Sequence, residues 1–213
     1  MSRIVVLGGT GYGGAAVVAE AVSRGHEVTA IARKAPEAPI TGATYVAGSA
    51  LDTGFLRDAV ASADAVVASI PARGDMADAF DEAVANVIEA VGAAGARLVV
   101  IGGFSVLRPA PDAPRFIESG VAEQYRVEAT AGWRFLQALQ DTPPSLDWVF
   151  VSPAAKFGAW VPGEATGAYR LGGEVAILDE EGSSHISAPD LALAVLDLIE
   201  SGDHGREHVS AVS

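Results

Sequence analysis

Short apolar segments alternate with segments of helical periodicity along this chain of 213 residues. Runs rich in valine, isoleucine, leucine and alanine are typical of strands buried on both faces of a parallel sheet. Strands are predicted at residues 3–7, 27–32, 44–47, 65–69, 97–101 and 147–151, with a last edge strand at 208–212. Helices are predicted at residues 13–23, 54–62, 77–93, 121–140 and 189–200. The alternation indicates an α/β fold, a doubly wound and mostly parallel sheet with helices on both faces.

Two segments depart from this alternation. Residues 107–114 contain three prolines, which remove backbone donors and restrict the preceding residues, so an irregular loop is expected. Residues 169–175 carry a Gly-Gly pair between apolar stretches, which predicts a small substrate-side hairpin. The last predicted helix starts with a capping-box pattern at residues 187–190. The chain is thus expected to form one domain with substrate-side insertions near residues 104–118 and 155–187.

Composition narrows the classes of partner. The formal net charge of −13 repels phosphate backbones and anionic bilayers, so neither a nucleic acid nor a membrane is an expected partner. The absence of cysteine excludes disulfides and thiolate chemistry. No basic leader followed by a long apolar stretch is present, and no segment has the length of a membrane span. We therefore expect a cytoplasmic monomer or homodimer that acts on a small-molecule substrate.

A glycine-rich run follows the first predicted strand and leads into the first predicted helix. Its residues are Gly8, Gly9, Thr10, Gly11, Tyr12, Gly13 and Gly14, with the spacing G-x-x-G-x-x-G. A helix start leaves several backbone N–H groups without intrahelical partners, and these favour an anion. Glycines allow a tight turn and a close approach of a pyrophosphate to the backbone. The run predicts a nucleotide site in a Rossmann-like domain; a glycine-rich turn without a ligand is the alternative.

The second predicted strand is followed by Arg33, about twenty residues after the glycine run, where an acidic residue would hold the ribose of NAD. A guanidinium there can pair with a 2′-phosphate, so NADP(H) is expected in preference to NAD(H). The alternative is a solvated pair of cations, Arg33 and Lys34. Ser49, Ala50 and Leu51 follow the third strand and are expected near the adenine, although a simple turn would use the same residues.

Residues that follow the remaining central strands are further candidates, because ligands of open α/β sheets lie beyond the carboxyl ends of the strands. Cofactor contacts are expected from Ser69, Ile70 and Pro71 after the fourth strand, Gly102 and Gly103 after the fifth, and Pro153 after the sixth. Substrate contacts are expected from Phe104, Ser105, Ser152, Phe157 and Trp160. The hydroxyls of Ser105 and Ser152 would equally suit local backbone capping.

These motifs together resemble a family. The glycine run, the basic residue after the second strand, the stretch 99–103 followed by a serine, and the segments 169–173 and 185–190 look like the atypical short-chain dehydrogenase/reductases. More narrowly, they are similar to NADH-flavin reductase-like, biliverdin reductase B-like and NmrA-like NAD(P)H-binding proteins. The resemblance implies hydride transfer from NAD(P)H to a flavin, such as FMN, a quinone or a similar planar acceptor. An NmrA-like redox sensor without turnover is the alternative, and a nucleotide-sugar epimerase or dehydratase is a third.

The superfamily's usual proton donor is a tyrosine with a lysine four residues later, and this chain lacks that pair. Tyr125 lies where the long helix begins, but Ala129 stands at the lysine position. Candidate catalytic residues are Ser105, Tyr125 and His185; for His185, which precedes the last predicted helix, the alternative is a structural hydrogen bond. His26, His204 and His208 are expected on the surface, and no histidine has the spacing of a metal site. Trp133 and Trp148 are expected in the core, whereas Phe157 and Trp160 are expected to line a planar substrate.

Overall fold

The computed structural model describes residues 1–213, apart from the side chain of Asp75. Its strands form one sheet of eight. They are β1 (Arg3–Leu7), β2 (Glu27–Ala32), β3 (Ala43–Ala47), β4 (Ala65–Ala68), β5 (Arg97–Ile101), β6 (Trp148–Pro153), β7 (Arg170–Gly172) and β8 (Glu207–Val212). The spatial order is β3-β2-β1-β4-β5-β6-β8-β7. All neighbours pair in parallel except β7 and β8, which are antiparallel.

Helices cover both faces of this sheet. They are α1 (Tyr12–Ser23), α2 (Thr53–Val60), α3 (Phe80–Ala94), α4 (Phe116–Ser119), α5 (Glu123–Gln140) and α6 (Ala188–Ser201). Helices α1 and α6 pack together over one apolar cluster, and α2, α3 and α5 pack over the other. The central strands are apolar on both faces because each face is covered by helices. The predicted fold class, a doubly wound and mostly parallel α/β sheet, is confirmed.

The predicted C-terminal hairpin is wrong. Arg170–Gly172 forms β7, but its partner is β8, which pairs Leu171 with Ala211 in antiparallel register. After the Gly-Gly pair the chain instead makes an isolated parallel bridge between Val175 and Arg108. The last residues of the chain therefore supply the strand that the Gly-Gly turn was predicted to supply locally.

Two helix starts also differ from the sequence expectation. The short helix α4 follows the proline-containing loop and was not predicted. At α6, the Ser187 hydroxyl accepts a hydrogen bond from the Asp190 N–H at 3.1 Å, which is half of the predicted capping box. The Asp190 carboxylate binds residues 166–167 instead of closing the box. No helix formed by the described residues is both long enough and apolar enough to cross a membrane.

Candidate active site

The glycine loop, residues 8–14, lies where the order of the parallel strands reverses. Strand β1 lies between β2 and β4, and the chain leaves β1 at Gly8. Helix α1 begins at Tyr12 after an N-cap at Gly11, which provides no side-chain cap, and its first turn contains no acidic residue. The N–H groups of that turn and the helix dipole therefore favour an anion at this end of α1.

Backbone atoms fill the space that side chains in the glycine loop would need. A Cβ on Gly8 would lie 2.1 Å from the Ser69 carbonyl oxygen, and the φ of Gly8 is +79°. A Cβ on Gly14 would lie 2.2 Å from the Gly8 carbonyl oxygen. Such distances are far inside van der Waals contact, so these positions require glycine. The loop therefore folds tightly and exposes backbone to a ligand, which fits the pyrophosphate of a dinucleotide.

The other predicted cofactor residues lie on the same sheet edge, beyond β4, β5 and β6. Ser69 follows β4, and its N–H donates to the Leu7 carbonyl at 2.9 Å. Gly102 follows β5, and its N–H donates to the Val151 carbonyl at 2.8 Å. Pro153 ends β6, and Ile70, Pro71 and Gly103 continue the chain beyond the strands. The parallel register thus brings these predicted residues to one side of the sheet.

Beyond β2 and β3, the structure places the residues predicted for the adenosine half. Arg33 is exposed just after β2. The hydroxyl of Ser49 accepts the N–H of Leu51 at 3.2 Å, which is a local turn. The side chain of Ala50 is buried in the core, while its carbonyl accepts the Asn86 amide at 3.1 Å. Ser49 and Ala50 therefore make hydrogen bonds within the protein, and Arg33 is exposed at the same side of the sheet.

An aromatic pair flanks the loop after β5. Phe104 and Ser105 lie in a single 3₁₀ turn, Phe104–Val106. The ring of Phe104 stacks on Phe116 with the centroids 4.8 Å apart and the planes at 26°. Phe116, the first residue of α4, was not predicted as a site residue. The Glu118 carboxylate accepts the Arg115 N–H at 2.7 Å and so caps the first turn of α4.

Ser152 and His208 occupy positions that differ from their predictions. Ser152 has no exposed surface, and its hydroxyl lies 2.9 Å from both the Gly103 carbonyl and Nε2 of His208. It therefore presents no hydroxyl to a substrate. His208 was predicted on the surface but lies inside β8, where burial and the nearby Arg115 guanidinium lower its pKa from 6.5 to about 3.

His26 is a second histidine whose predicted exposure is wrong, because its side chain is only 5% exposed and pairs with Glu200 at 2.8 Å. His204 is partly exposed, as predicted. The core positions predicted for Trp133 and Trp148 are confirmed. Within the described part of the chain, no cluster of three or more histidine and acidic residues could hold a metal ion.

A segment that we call the strap, residues 157–168, crosses the start of α1. The hydroxyl of Tyr12 donates to the Pro162 carbonyl at 3.0 Å. The ring of Phe157 lies 5.3 Å from the ring of Tyr12, centroid to centroid. The same ring fills the space beside Gly13, where a Cβ would lie 3.3 Å from it. Trp160 is 69% exposed on the strap. The strap therefore brings Phe157 and Trp160 beside the glycine loop.

The buried carboxylate of Asp190 holds the far end of the strap. It accepts hydrogen bonds from the Thr166 N–H at 3.0 Å and from the Gly167 N–H at 2.9 Å. It also accepts the hydroxyls of Thr166 and Ser213 at 3.1 and 3.0 Å. Helices α1 and α6 thus each fix one part of the strap.

The two remaining catalytic candidates lie apart in the fold. His185 lies against the strap at Gly163, and its Nε2 is buried without a hydrogen-bond partner among the described residues. Tyr125 is 49% exposed in the first turn of α5. Of these two, only His185 contacts the strap that crosses the start of α1.

Known proteins match this chain over most of its length. Residues 8–202 match a family described as NAD(P)H-binding. The uncharacterized protein YwnB of Bacillus subtilis is 32% identical over 219 residues, covering 99% of this chain and 98% of YwnB. A solved candidate NADH-flavin reductase of Streptococcus pneumoniae is 28% identical, with a TM-score of 0.87 over 100% of both chains. A candidate epimerase of Bacteroides thetaiotaomicron is 32% identical, with a TM-score of 0.88 over 99% of this chain and 96% of that one.

The family match begins at Gly8, the first residue of the glycine loop, and extends through α6. It therefore contains both the proposed anion site and the strap that crosses it. The switch in strand order, the uncapped start of α1 and the glycines without room for a side chain agree with that match. This chain belongs to the NAD(P)H-binding family and has the fold of its oxidoreductase-like members, in agreement with its resemblance to the atypical short-chain dehydrogenase/reductases.

Proposed function

We propose that this protein is an NADP(H)-dependent reductase that transfers hydride to a planar acceptor such as a flavin or a quinone. The observation that carries the proposal is the glycine loop, where backbone fills the Cβ positions of Gly8 and Gly14 at the uncapped start of α1. In this proposal the N–H groups of α1 bind the pyrophosphate and Arg33 binds the 2′-phosphate. NADPH supplies the hydride when it is bound.

Aromatic surface next to the loop supports a planar acceptor. The strap presents Trp160 to solvent and holds Phe157 over Gly13, and the stacked pair Phe104–Phe116 lies beyond β5. Flat aromatic faces favour offset stacking with flat ligands. No tyrosine of the sequence is followed four residues later by lysine. Reduction of a flavin depends mainly on binding and orientation, so it suits a site without that pair.

The direct test mixes the purified protein with NADPH or NADH and with FMN, riboflavin, a quinone or biliverdin, and follows the nicotinamide absorbance. We expect NADPH oxidation with at least one flavin or quinone, and slower oxidation of NADH. Tight NADPH binding without oxidation across the panel would contradict the reductase proposal and would favour a sensor that binds NADP without turnover.

The proposed cofactor preference has its own test. Removing a bidentate contact to a phosphate costs about 1.4 kcal/mol or more, so Arg33→Ala should weaken NADPH binding roughly tenfold while NADH binding stays unchanged. Arg134→Ala is the matched control, because Arg134 is an exposed arginine on α5 that pairs with Asp81. Titration calorimetry with both nucleotides measures the effect. Equal NADPH affinities of the two variants would remove the basis for an NADP(H) preference.

A further inference from the structure

A buried chain of polar groups holds the loop after β5. The hydroxyl of Ser152 lies 2.9 Å from the carbonyl oxygen of Gly103 and 2.9 Å from Nε2 of His208. On the other side of the imidazole, Nη1 of Arg115 lies 3.4 Å from Nδ1 of His208 and donates to the Val106 carbonyl at 2.7 Å. This hydrogen-bond network thus starts at the carbonyl of Gly103 and ends at the carbonyl of Val106, both in the loop 103–106.

The hydrogen-bond directions in this chain follow from its ends. The Gly103 carbonyl can only accept, so Ser152 donates its single proton there and accepts from Nε2–H of His208. The lone pair of the neutral imidazole then lies on Nδ1, which faces the guanidinium of Arg115. The lowered pKa of His208, caused by burial and by Arg115, agrees with this neutral form. Every link therefore has one donor and one acceptor.

Both terminal nitrogens of Arg115, the cation of this hydrogen-bond network, have partners, whereas its Nε is buried without one among the described residues. Arg115 is 3% exposed, and its Nη2 pairs with the Glu174 carboxylate. Glu174 also pairs with Arg108 at 3.2 Å, and the Arg115 guanidinium lies 4.8 Å from the centroid of the Trp133 ring. Burying an arginine is costly unless such partners are present. The partners keep Arg115 at the position from which it can hold the Val106 carbonyl.

The first residues of the loop are fixed by hydrogen bonds to their backbone: the Gly102 N–H donates to the Val151 carbonyl at 2.8 Å, and the Gly103 carbonyl accepts the Val106 N–H at 3.3 Å in addition to the Ser152 hydroxyl. Gly102 and Gly103 have no side chains, and a Cβ on Gly103 would meet no atom within 4 Å. Glycines lose more conformational freedom on folding than other residues, so a fixed path there requires hydrogen bonds. Ser152 supplies the side-chain hydrogen bond to the Gly103 carbonyl.

We propose that Ser152, His208 and Arg115 are positioning residues that hold the loop 103–106, and with it Phe104, at the acceptor side of the active site. This inference rests on the proposed reductase function for its effect on turnover. Its structural part, the order of the loop, does not depend on that function. The three side chains lie behind the loop 103–106, whereas the proposed NADPH site is at the glycine loop. Their loss should therefore affect turnover of the acceptor more than the binding of NADPH.

The test compares Ser152→Ala with Ser210→Ala. The two serines pair in register across β6 and β8, both are buried, and both donate to a carbonyl. Only Ser152 belongs to the hydrogen-bond network with His208 and Arg115, because the Ser210 hydroxyl donates to the Val175 carbonyl at 3.2 Å. Hydrogen exchange of residues 102–106 in the ligand-free protein, the NADPH dissociation constant, and kcat and KM for the best acceptor are measured for each variant.

We expect amide exchange at residues 102–106 to be about tenfold faster in Ser152→Ala, as for one lost buried hydrogen bond, and unchanged in Ser210→Ala. The value of kcat/KM for the acceptor should fall roughly tenfold in Ser152→Ala, while the NADPH dissociation constant changes by less than about threefold. Ser152→Thr keeps the hydroxyl and should restore slow exchange in the loop.

Equal exchange and equal kcat/KM in the two alanine variants would overturn the proposal. If Ser152→Ala does not fold, His208→Leu is measured instead, because leucine removes both hydrogen bonds of the imidazole. Faster exchange at residues 102–106 together with a lower kcat/KM for the acceptor would support the proposal, and exchange as in the wild type would overturn it. Faster exchange in that variant with unchanged acceptor kinetics would overturn it. A wild type without turnover would defeat the proposed function alone, since the exchange comparison in the free protein would still decide whether the chain orders the loop.

Discussion

The two loops of the proposed active site are held in place by different parts of the chain. On the proposed cofactor side, the shape of the glycine loop is set by backbone atoms, with carbonyl oxygens of Gly8 and Ser69 occupying the space beside Gly14 and Gly8. On the proposed acceptor side, the loop after β5 is held by side chains, among them Arg115 and His208. The first arrangement tolerates no added atom. The second depends on charged and polar groups that must keep their partners.

This difference predicts which perturbations each side resists. The shape of a loop that is set by backbone atoms depends on no charged side chain, so pH and surface charge should affect it little, whereas steric change should destroy it. A loop held by buried side chains tolerates small steric change but responds to the loss of one proton or one hydrogen bond.

The largest effect is expected for Gly14→Ala on the cofactor side. The new methyl would lie 2.2 Å from the Gly8 carbonyl oxygen, so the loop must move away from α1. We expect a loss of about 3 kcal/mol in the free energy of unfolding and no measurable NADPH binding. Urea denaturation and calorimetry measure both. Gly173→Ala is the control, since a Cβ there would meet no atom within 4 Å. Similar losses in both variants would show that the loop is not sterically closed.

Next in size is Asp190→Ala, which removes the carboxylate that fixes the strap. Two backbone N–H groups of Thr166 and Gly167 would lose their acceptor inside the protein. We expect a loss of about 2 kcal/mol in the free energy of unfolding and faster proteolysis within residues 157–168. Asp179→Ala is the matched control, because Asp179 also accepts two backbone N–H groups, those of Glu181 and Ser183, but is exposed. Unchanged proteolysis in Asp190→Ala would contradict the assigned anchor.

Several strands and the glycine loop were predicted well from the sequence, because the patterns that indicate them are local. The predicted strands 3–7, 27–32 and 97–101 agree with β1, β2 and β5 at both ends. The glycine loop was located from seven consecutive residues. Each of these features depends on residues that are neighbours in sequence. Short apolar segments indicate the strands, and closely spaced glycines indicate the loop.

The side-chain network behind the loop after β5 was missed because its partners are distant in sequence. Ser152 and His208 are 56 residues apart, Arg115 and Glu174 are 59 apart, and Arg115 and His208 are 93 apart. The residues around His208 are polar, as is typical of a surface loop, so His208 was predicted to be exposed. It lies instead in β8, most of which is buried. The predicted hairpin failed for the same reason, since the partner of β7 is the last strand of the chain. Such pairings follow from topology, which local patterns do not specify.

The lowered pKa of His208 predicts that the free energy of unfolding depends on pH. His208 has a pKa of about 3 in the folded protein against 6.5 ordinarily, so below pH 6.5 the unfolded chain binds a proton that the folded one does not. This contribution to stability is therefore present above pH 6.5 and is lost as the pH falls toward 3. Near pH 5 the free energy of unfolding should fall by about 1.4 kcal/mol per pH unit from this group.

Two variants isolate the contribution of His208. In His208→Gln this side chain cannot titrate. The free energy of unfolding should therefore fall less steeply between pH 6.5 and 5, by the slope that the uptake of about one proton on unfolding produces. His204→Gln replaces a partly exposed histidine and should keep the decline of the wild type. Urea denaturation at several pH values measures the slope. A decline that is the same in His208→Gln as in the wild type would show that His208 is not buried as a neutral group.

The smallest effect concerns the hydrogen bond that joins the glycine loop to the strap, from the Tyr12 hydroxyl to the Pro162 carbonyl. Tyr12→Phe removes this bond but keeps the ring against Phe157, so we expect a loss of only about 0.5 to 1 kcal/mol, seen as faster hydrogen exchange in residues 158–163. Tyr45→Phe is the control, because the Tyr45 hydroxyl makes a longer contact of 3.4 Å with the Ile40 N–H on the far edge of the sheet. If exchange in the strap is unchanged while Asp190→Ala accelerates it, the Tyr12 hydroxyl does not hold the strap, and α1 contributes only the packing of its Tyr12 ring against Phe157. The glycine loop would then make no side-chain hydrogen bond that orders the site, and the contrast between the two loops would be sharper.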